Sequence, residues 1–237
     1  MLFFLIPLII GCLLLIAFLI FRVRQNRLVA VILKGLTSIA FISTALVAWL
    51  TSNNPHTIFG VFVLIGLFFG FLGDVFLDIK FMTTKYEGLF TSLGFIAFGI
   101  GHIAFITGLF INFFDFSKSF WYVVIPALAA ALLTVVTLLM EKFTPIRYKK
   151  MKPFVIMYGF ILFFTVAIYL STAIQKGWQV VTLDIMFGGF VLFALSDLIL
   201  NNTYFRDGFN TPLFIITNHV LYYMAQFAIA LSLFFLL

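Results

Sequence analysis

Two aspartates four residues apart, Asp74 and Asp78, stand in a stretch that is otherwise apolar enough to cross a membrane. They complete the pattern Gly66-x-x-x-Gly70-x-x-x-Asp74-x-x-x-Asp78, and positions four apart share one face of a helix. Carboxyl groups are common general acids and bases. A carboxylate at the bilayer centre costs roughly 2.5–3.5 kcal/mol, so this face is a candidate functional site.

A second apolar stretch repeats the core of this motif. Leu72-Gly73-Asp74-Val75-Phe76-Leu77-Asp78 is similar to Leu195-Ser196-Asp197-Leu198-Ile199-Leu200-Asn201. Asp74 and Asp197 are therefore the two candidate functional carboxyl groups, and the other segments must provide the residues around them.

The composition identifies the class of protein that surrounds them. The chain has 237 residues, of which 64% are hydrophobic and 9% are charged, against about 45–50% and 25% in soluble domains. Soluble globular and disordered proteins are excluded, and an all-α polytopic membrane protein is predicted. The net charge of +6 says less than its distribution over the loops, and we expect no nucleic-acid partner. The single cysteine, Cys12, allows no intramolecular disulfide.

Eight apolar segments are each about long enough to span a bilayer, which takes about 20 residues. They are Leu2–Phe21, Leu28–Leu50, Thr57–Ile79, Leu89–Ile111, Phe120–Met140, Phe154–Ala173, Gln179–Leu200 and Pro212–Leu237. The first has no basic region before it and no Ala-x-Ala-like cleavage site, so we expect it to be retained. Short connections predict one integral membrane domain over residues 1–237. Segment 4 carries small residues at helical spacing, namely Gly94, Ala97, Gly101, Ala104 and Gly108.

The basic residues orient this bundle. The connections after segments 1, 3, 5 and 7 hold Arg22, Arg24, Arg27, Lys80, Lys85, Lys142, Arg147, Lys149, Lys150, Lys152 and Arg206, whereas the opposite side holds Lys118 and Lys176. The positive-inside rule then places the richer side in the cytoplasm and both termini outside it.

This orientation converts position in the chain into depth. Asp74, Asp197, Lys34 and His219 all lie roughly 6–12 Å inside the cytoplasmic boundary at 1.5 Å per residue. Tyr158 has a similar depth, His102 lies deeper, and segment 8 continues inward through Tyr223 and Gln226. Groups that are each costly alone are best explained by one shared polar pocket.

A further pattern relates the two halves of the chain. Segments 3 and 7 share the aspartate motif, and Gly101-His102-Ile103 in segment 4 resembles Asn218-His219-Val220 in segment 8. Two parallel four-helix repeats would give this order, and chance similarity in an apolar alphabet is the alternative.

Two Asp and two His could bind a metal by type, but no pair has the close spacing of a dedicated motif. We therefore predict no metal.

Four short runs in four different segments stand out as a set. They are Gly70-Phe71-Leu72-Gly73-Asp74-Val75-Phe76-Leu77, Gly94 to His102, Gly188 to Asp197, and Tyr222-Tyr223-Met224-Ala225-Gln226. In these runs and their order the chain resembles a known family, the lysoplasmalogenase (YhhN-like) membrane proteins. Lys34 falls where the family carries an early lysine in its second helix. Two departures are visible, because Gly35 follows Lys34 where the family has proline, and Phe105 replaces the tyrosine of its His-x-x-Tyr pattern.

The resemblance implies hydrolysis of the vinyl ether bond of lysoplasmalogens, with a lysophospholipid substrate and no cofactor. Asp74 and Asp197 would be the catalytic pair, since two carboxyl groups in different surroundings can serve an oxocarbenium-like reaction. Asp78 lies one turn from Asp74, and like charges at this spacing disfavour ionisation of one of the two, so Asp74 is assigned the acid. The reverse assignment stays open, because a coupled pair titrates as a unit. Lys34 would hold the phosphate, and the expected supporting residues are Tyr158, His102, His219, Tyr223, Gln226, Asn201 and Asp78.

A small-molecule transporter is the alternative from another class. Such a protein also places Asp, Lys and His inside a bundle of repeats. It would favour helices broken at mid-membrane, whereas the only prolines within segments are Pro7 and Pro126, apart from the one that opens segment 8.

Overall fold

The computed structural model describes residues 2–54, 57–80, 82 and 85–236. Within them the chain forms eight long helices and no strand. They are α1 (Leu5–Val23), α2 (Arg27–Leu50), α3 (Ile58–Ile79), α4 (Glu87–Asn112), α5 (Trp121–Phe143), α6 (Lys152–Gln175), α7 (Val181–Phe205) and α8 (Pro212–Ser232), with short 3-10 helices at Lys149–Met151 and Leu233–Phe235. All eight are long and apolar enough to cross a membrane. The prediction of an all-α, multi-pass membrane protein is confirmed.

Several of these helices start at residues that are favoured at helix N-termini. The Asn26 side chain accepts a hydrogen bond from the Val29 N–H and caps α2, and the Thr57 hydroxyl does the same for Phe59 at the start of α3. Both are preferred capping residues because a side-chain oxygen satisfies an N–H group that the helix leaves unpaired. Pro212 occupies the first turn of α8, where its missing N–H costs nothing.

Helix α7 runs further than the sequence predicts, to Phe205 rather than to Leu200. The extra turn is polar, but its side chains bond to the turn before them. The Asn202 amide donates to the carbonyl of Leu198, and the Thr203 hydroxyl donates to that of Leu200. The extension matters because it brings Tyr204 onto the helical face that carries Asp197, two turns away.

The contacts between helices repeat in the two halves of the chain. Helices α1 and α2 pack together as α5 and α6 do, and the pair α3 and α4 corresponds to α7 and α8. The contact of α2 with α8 is matched by that of α6 with α4, as a parallel repeat requires. The outer helices also correspond, since α1 buries only Gly11 and Phe18 within the bundle and α5 only Pro126, Ala130 and Thr134.

Glycines lie where helices α3 and α4, and helices α7 and α8, approach each other most closely. These contacts show which residues of the two halves correspond. A Cβ atom on Gly101 would lie 2.9 Å from the carbonyl oxygen of Gly66, and one on Gly189 would lie 3.3 Å from that of Ala225. Gly66 and Gly189 are 123 residues apart, like Asp74 and Asp197, and Gly101 and Ala225 are 124 apart.

The offset of 124 residues that relates Gly101 to Ala225 also relates His102 to Gln226. The sequence pairing of His102 with His219 is therefore wrong, because it ignores the register in which α8 packs against α7.

Candidate functional site

The site is built around a line of four charged side chains from three helices, of which Lys34, Asp74 and Asp78 are buried and Arg22 is partly buried. Lys34 Nζ on α2 lies 3.2 Å from Asp74 Oδ1 and 3.2 Å from Asp78 Oδ1, both on α3. Arg22, at the end of α1, donates from Nη2 to the same oxygen of Asp78 at 2.9 Å. The order Arg22, Asp78, Lys34, Asp74 alternates in sign and sums to zero, which makes the burial of these four groups acceptable.

Asp74 is surrounded by donors. Besides the Lys34 ammonium, the hydroxyls of Ser38 and Tyr222 donate to its Oδ2 at 2.7 and 2.8 Å. Gln226 supports this arrangement by donating to the Tyr222 hydroxyl at 2.8 Å, and the Tyr223 hydroxyl lies 3.3 Å from Ser38 Oγ. The negative charge of an ionised Asp74 is thus balanced by one cation and stabilised by two hydroxyl groups.

The side-chain hydrogen-bond partners of Asp197 are neutral hydroxyl groups. The Tyr158 hydroxyl on α6 donates to its Oδ2, and Ser196 Oγ is 3.4 Å from its Oδ1. Within the described ranges no Lys or Arg lies at salt-bridge distance from Asp197. The two carboxyl groups therefore differ, among the described residues, in whether a cation lies beside them, since Asp74 contacts the Lys34 ammonium and Asp197 contacts hydroxyl groups.

Both carboxyl groups line one cavity of about 30 Å³, the small cavity. Its walls are Lys34, Asp74, Leu77, Phe98, Asp197, Leu200, Tyr204, Asn218, His219 and Tyr222. The carboxyl groups that the motif repeat singles out thus face the same space, one from each half of the chain.

Two larger spaces adjoin the small cavity. The vestibule, of about 260 Å³, opens between the α1–α2 and α7–α8 connections and shares Leu200, Tyr204, Asn218 and His219 with it. The apolar cleft, of about 50 Å³, lies among α4, α5, α6 and α7 and shares Asp197, Leu200 and Tyr204 with it. Leu200 and Tyr204 line all three spaces.

The remaining predicted residues take several positions. His102 packs on Phe193 and Tyr158 behind the small cavity, and neither of its ring nitrogens has a hydrogen-bond partner among the described residues. His219 donates from Nδ1 to the carbonyl of Ile215 at 2.7 Å, because a carbonyl oxygen can only accept. Asn201 lies in the apolar cleft, where its amide donates to the Tyr148 hydroxyl.

Two expectations need revision in this geometry. The spacing along the sequence predicts that Asp78 repels Asp74, but Lys34 lies between the two carboxylates. The resemblance implies that Lys34 holds a phosphate, but its ammonium is already engaged by both aspartates. Neither pairing follows from sequence, because the rotation of α2 about its axis decides which face Lys34 meets.

Sequence reasoning also missed three residues of the site. Ser38 had a usable signal, since it lies four residues after Lys34 and so shares its face. Arg22 was counted only as a loop charge, and Tyr204 lay beyond the predicted end of its segment. The described residues hold no group of three His, Cys, Asp or Glu side chains arranged around a metal position.

The fold and these contacts define an integral, multi-pass α-helical membrane protein with charged groups buried inside its bundle. The YhhN family model matches residues 29–233, and the chain belongs to the YhhN family. Comparisons with curated proteins and with solved structures gave no match. Membership supports a lysoplasmalogenase-like role, and hence hydrolase activity, at the level of the family.

Proposed function

We propose that this protein cleaves the vinyl ether bond of lysoplasmalogens, releasing a fatty aldehyde and glycerophosphoethanolamine or glycerophosphocholine. The observation that carries the proposal is that Asp74 and Asp197 line one small cavity that adjoins two larger spaces of different character. The polar vestibule and the apolar cleft both share Leu200 and Tyr204 with this cavity. A lysophospholipid has the same order of parts, with a polar headgroup, a short glycerol unit and one hydrocarbon chain.

The surroundings of the two carboxyl groups suggest which one carries the proton. An ionised Asp74 is balanced by Lys34, whereas an ionised Asp197 would face only the neutral donors Tyr158 and Ser196. Asp197 is partly buried within an apolar bundle, where a charge without an ionic partner is costly, so the proton resides best on Asp197. Asp197 is then the general acid and Asp74 the carboxylate, the reverse of the assignment that the spacing of Asp74 and Asp78 favours.

The reaction can then be followed proton by proton. Asp197 protonates the alkene carbon that is not bonded to oxygen, which leaves an oxocarbenium ion that the negative charge of Asp74 stabilises. Water from the vestibule adds to this ion, and Asp74 accepts its proton. The hemiacetal then loses its hydroxyl proton to Asp197 while Asp74 returns a proton to the departing glycerol oxygen. The products are an aldehyde and an alcohol, and both carboxyl groups recover their starting states.

The helices that carry the site favour this reading over a transporter. Alternating-access carriers place binding sites at helices broken in mid-membrane. Helices α2, α3, α7 and α8 are each continuous through the depth at which their site residues lie.

The direct test is an assay of the purified protein in detergent. We expect aldehyde release from a lysoplasmalogen and none from two matched lipids, one with a saturated alkyl ether and one with an ester. The saturated ether has no alkene carbon to protonate, so comparison with it tests whether cleavage depends on protonation of the vinyl ether. A folded protein that releases no aldehyde from the vinyl ether would overturn the proposal.

A further inference from the structure

We propose that the vestibule is a binding site for the phosphate group of an amphiphilic phosphodiester, with Arg27 and Arg22 as the cations that face it. The inference rests on the proposed function and adds to it the way the headgroup is recognised. It moves that role from Lys34, whose ammonium is engaged by two carboxylates, to two arginines nearer the membrane boundary.

The charges that line the vestibule are of one sign. Its walls are Arg22, Val23, Gln25, Asn26, Arg27, Ala30, Leu200, Thr203, Tyr204, Asn210, Pro212, Ile215, Asn218 and His219. Two of these side chains are cationic and none is acidic, while amides and hydroxyls make up most of the remaining polar groups. Such a lining favours an anion that accepts several hydrogen bonds, and arginine suits phosphate because its planar fork can donate two parallel bonds.

The two arginines stand at different depths in the vestibule. The Arg22 side chain is 13% exposed and is held at the inner end by its bond to Asp78. Arg27 is exposed and is the first residue of α2, so the partial positive charge of the helix start adds to its own. A phosphate between them would meet one cation at the inner end and one at the rim.

The spacing along α2 fits a substrate that reaches from the vestibule to the carboxyl pair. Arg27 precedes Lys34 by two helical turns, about 10 Å along the axis, and Lys34 touches Asp74. The glycerol unit of a lysophospholipid separates its phosphate from its chain linkage by five bonds, which is shorter than this distance, and the long side chain of Arg27 can span the difference. The arginines and the aspartates can therefore contact opposite ends of one glycerol unit.

Binding to a lipid that cannot react tests the site apart from catalysis. The probe is a saturated alkyl-ether lysophosphatidylcholine, and the reference is the monoalkylglycerol with the same chain and no phosphate, both titrated into the protein in one detergent at fixed salt. Arg27→Gln removes the rim cation, and Arg24→Gln is its matched control because Arg24 is an exposed arginine of the same connection that does not line the vestibule.

We expect Arg27→Gln to weaken binding of the phospholipid on the order of 10-fold, the usual loss for a hydrogen bond to a charged group. It should leave the monoalkylglycerol unchanged, and Arg24→Gln should alter neither by more than about twofold. Asn210→Asp, which adds a negative charge to the wall, should also weaken the phospholipid, while Asn210→Ser should not. Equal losses in Arg27→Gln and Arg24→Gln, or a loss for the lipid without phosphate, would overturn the inference.

Competition separates the two sources of a phosphate group. Glycerophosphocholine should displace the phospholipid and inorganic phosphate should not, because the site is proposed for a diester joined to glycerol. Displacement by inorganic phosphate alone would overturn the headgroup assignment. If the phospholipid binds through Arg27 but no vinyl ether is cleaved, the proposed reaction fails while the phosphate site stands.

Discussion

Lys34 is the residue whose surroundings most change what its type alone suggests. A lysine inside a membrane bundle predicts contact with a phosphate, and its loss would then raise KM. Since Lys34 contacts Asp74 and Asp78 instead, Lys34→Met should lower kcat and leave KM nearly unchanged. It should also destabilise the fold by about 3–5 kcal/mol, because it leaves a buried carboxylate uncompensated.

A double variant separates these two effects. Lys34→Met with Asp74→Asn keeps the ion pair of Arg22 with Asp78 and leaves no carboxylate of this group uncompensated, so most of the lost stability should return in a thermal melt. The kcat should stay low, since Asp74 has lost its charge. Recovery of kcat along with stability would show that neither Lys34 nor the charge of Asp74 serves catalysis.

The carboxyl pair carries the second prediction at this scale. Asp74→Asn and Asp197→Asn should each lower kcat on the order of 10²–10⁴-fold, the scale of general acid–base catalysis. The double variant should be scarcely worse than the poorer single one, because members of one catalytic unit are not additive. Full activity in either single variant would remove that residue from the mechanism. Activity lost to EDTA and restored by a divalent ion would make the carboxyl groups ligands.

The types and spacing of residues were enough to select the carboxyl groups but not their partners. Asp74 and Asp197 stand out because charge is rare in an apolar run, and their depths follow from helical rise. The contacts that distinguish them do not follow, because Lys34, Ser38 and Tyr158 reach them from α2 and α6. Those contacts depend on helix rotation, which apolar periodicity defines poorly when a helix is apolar on every side.

At the scale of helices, the small residues of α4 make their packing testable. Gly94, Gly101 and Gly108 recur every seven residues and all approach α3. Gly101→Ala should destabilise the protein by about 1–3 kcal/mol, because its Cβ would meet the backbone of Gly66, which cannot move aside as a side chain can.

Gly99→Ala in the same helix is the matched control. Its Cβ would make only an ordinary contact, 3.8 Å from Ile161 Cδ1, and alanine favours the helix by about 0.8–1 kcal/mol. Melting curves followed by tryptophan fluorescence should therefore place Gly101→Ala below the wild type and Gly99→Ala at or above it. A melting point for Gly101→Ala equal to that of Gly99→Ala would mean that the approach of α3 to α4 is not tight there.

Helix number and approximate position were predictable, and helix ends less so. The apolar runs are about as long as a bilayer is thick, which defines eight spans without further information. The last turn of α7 escaped prediction because Asn201, Asn202 and Thr203 are polar, and their bonds to neighbouring groups appear only once the chain is folded.

For the molecule as a whole, the apolar cleft predicts how the chain of the substrate is limited. Ala194 lines the cleft, whereas Leu195 is 45% exposed on the outer surface. Ala194→Phe should raise KM for long-chain lysoplasmalogens on the order of 10-fold by filling space that the chain needs, with a smaller effect on short chains. Leu195→Phe adds an aromatic ring one residue away and should change neither. Equal effects on long and short chains would argue against a chain site in the cleft.

The orientation of the whole bundle remains a prediction from its loops. The positive-inside rule places both termini outside the cytoplasm and the vestibule at the cytoplasmic face. Reporter fusions active only in the cytoplasm should be silent at either terminus and active when inserted after Lys149. Activity at the termini would invert the bundle and place the headgroup site on the other leaflet.

The junction at Leu200 and Tyr204, which line all three spaces, has a consequence for how turnover ends. Under the proposed reaction, the two products differ in polarity as soon as the hemiacetal breaks. The aldehyde is left in the apolar cleft and can partition into the bilayer, whereas the glycerophosphodiester is left in the vestibule and can dissolve in water. The products therefore depart in different directions into different phases, and their dilution there draws the hydrolysis forward.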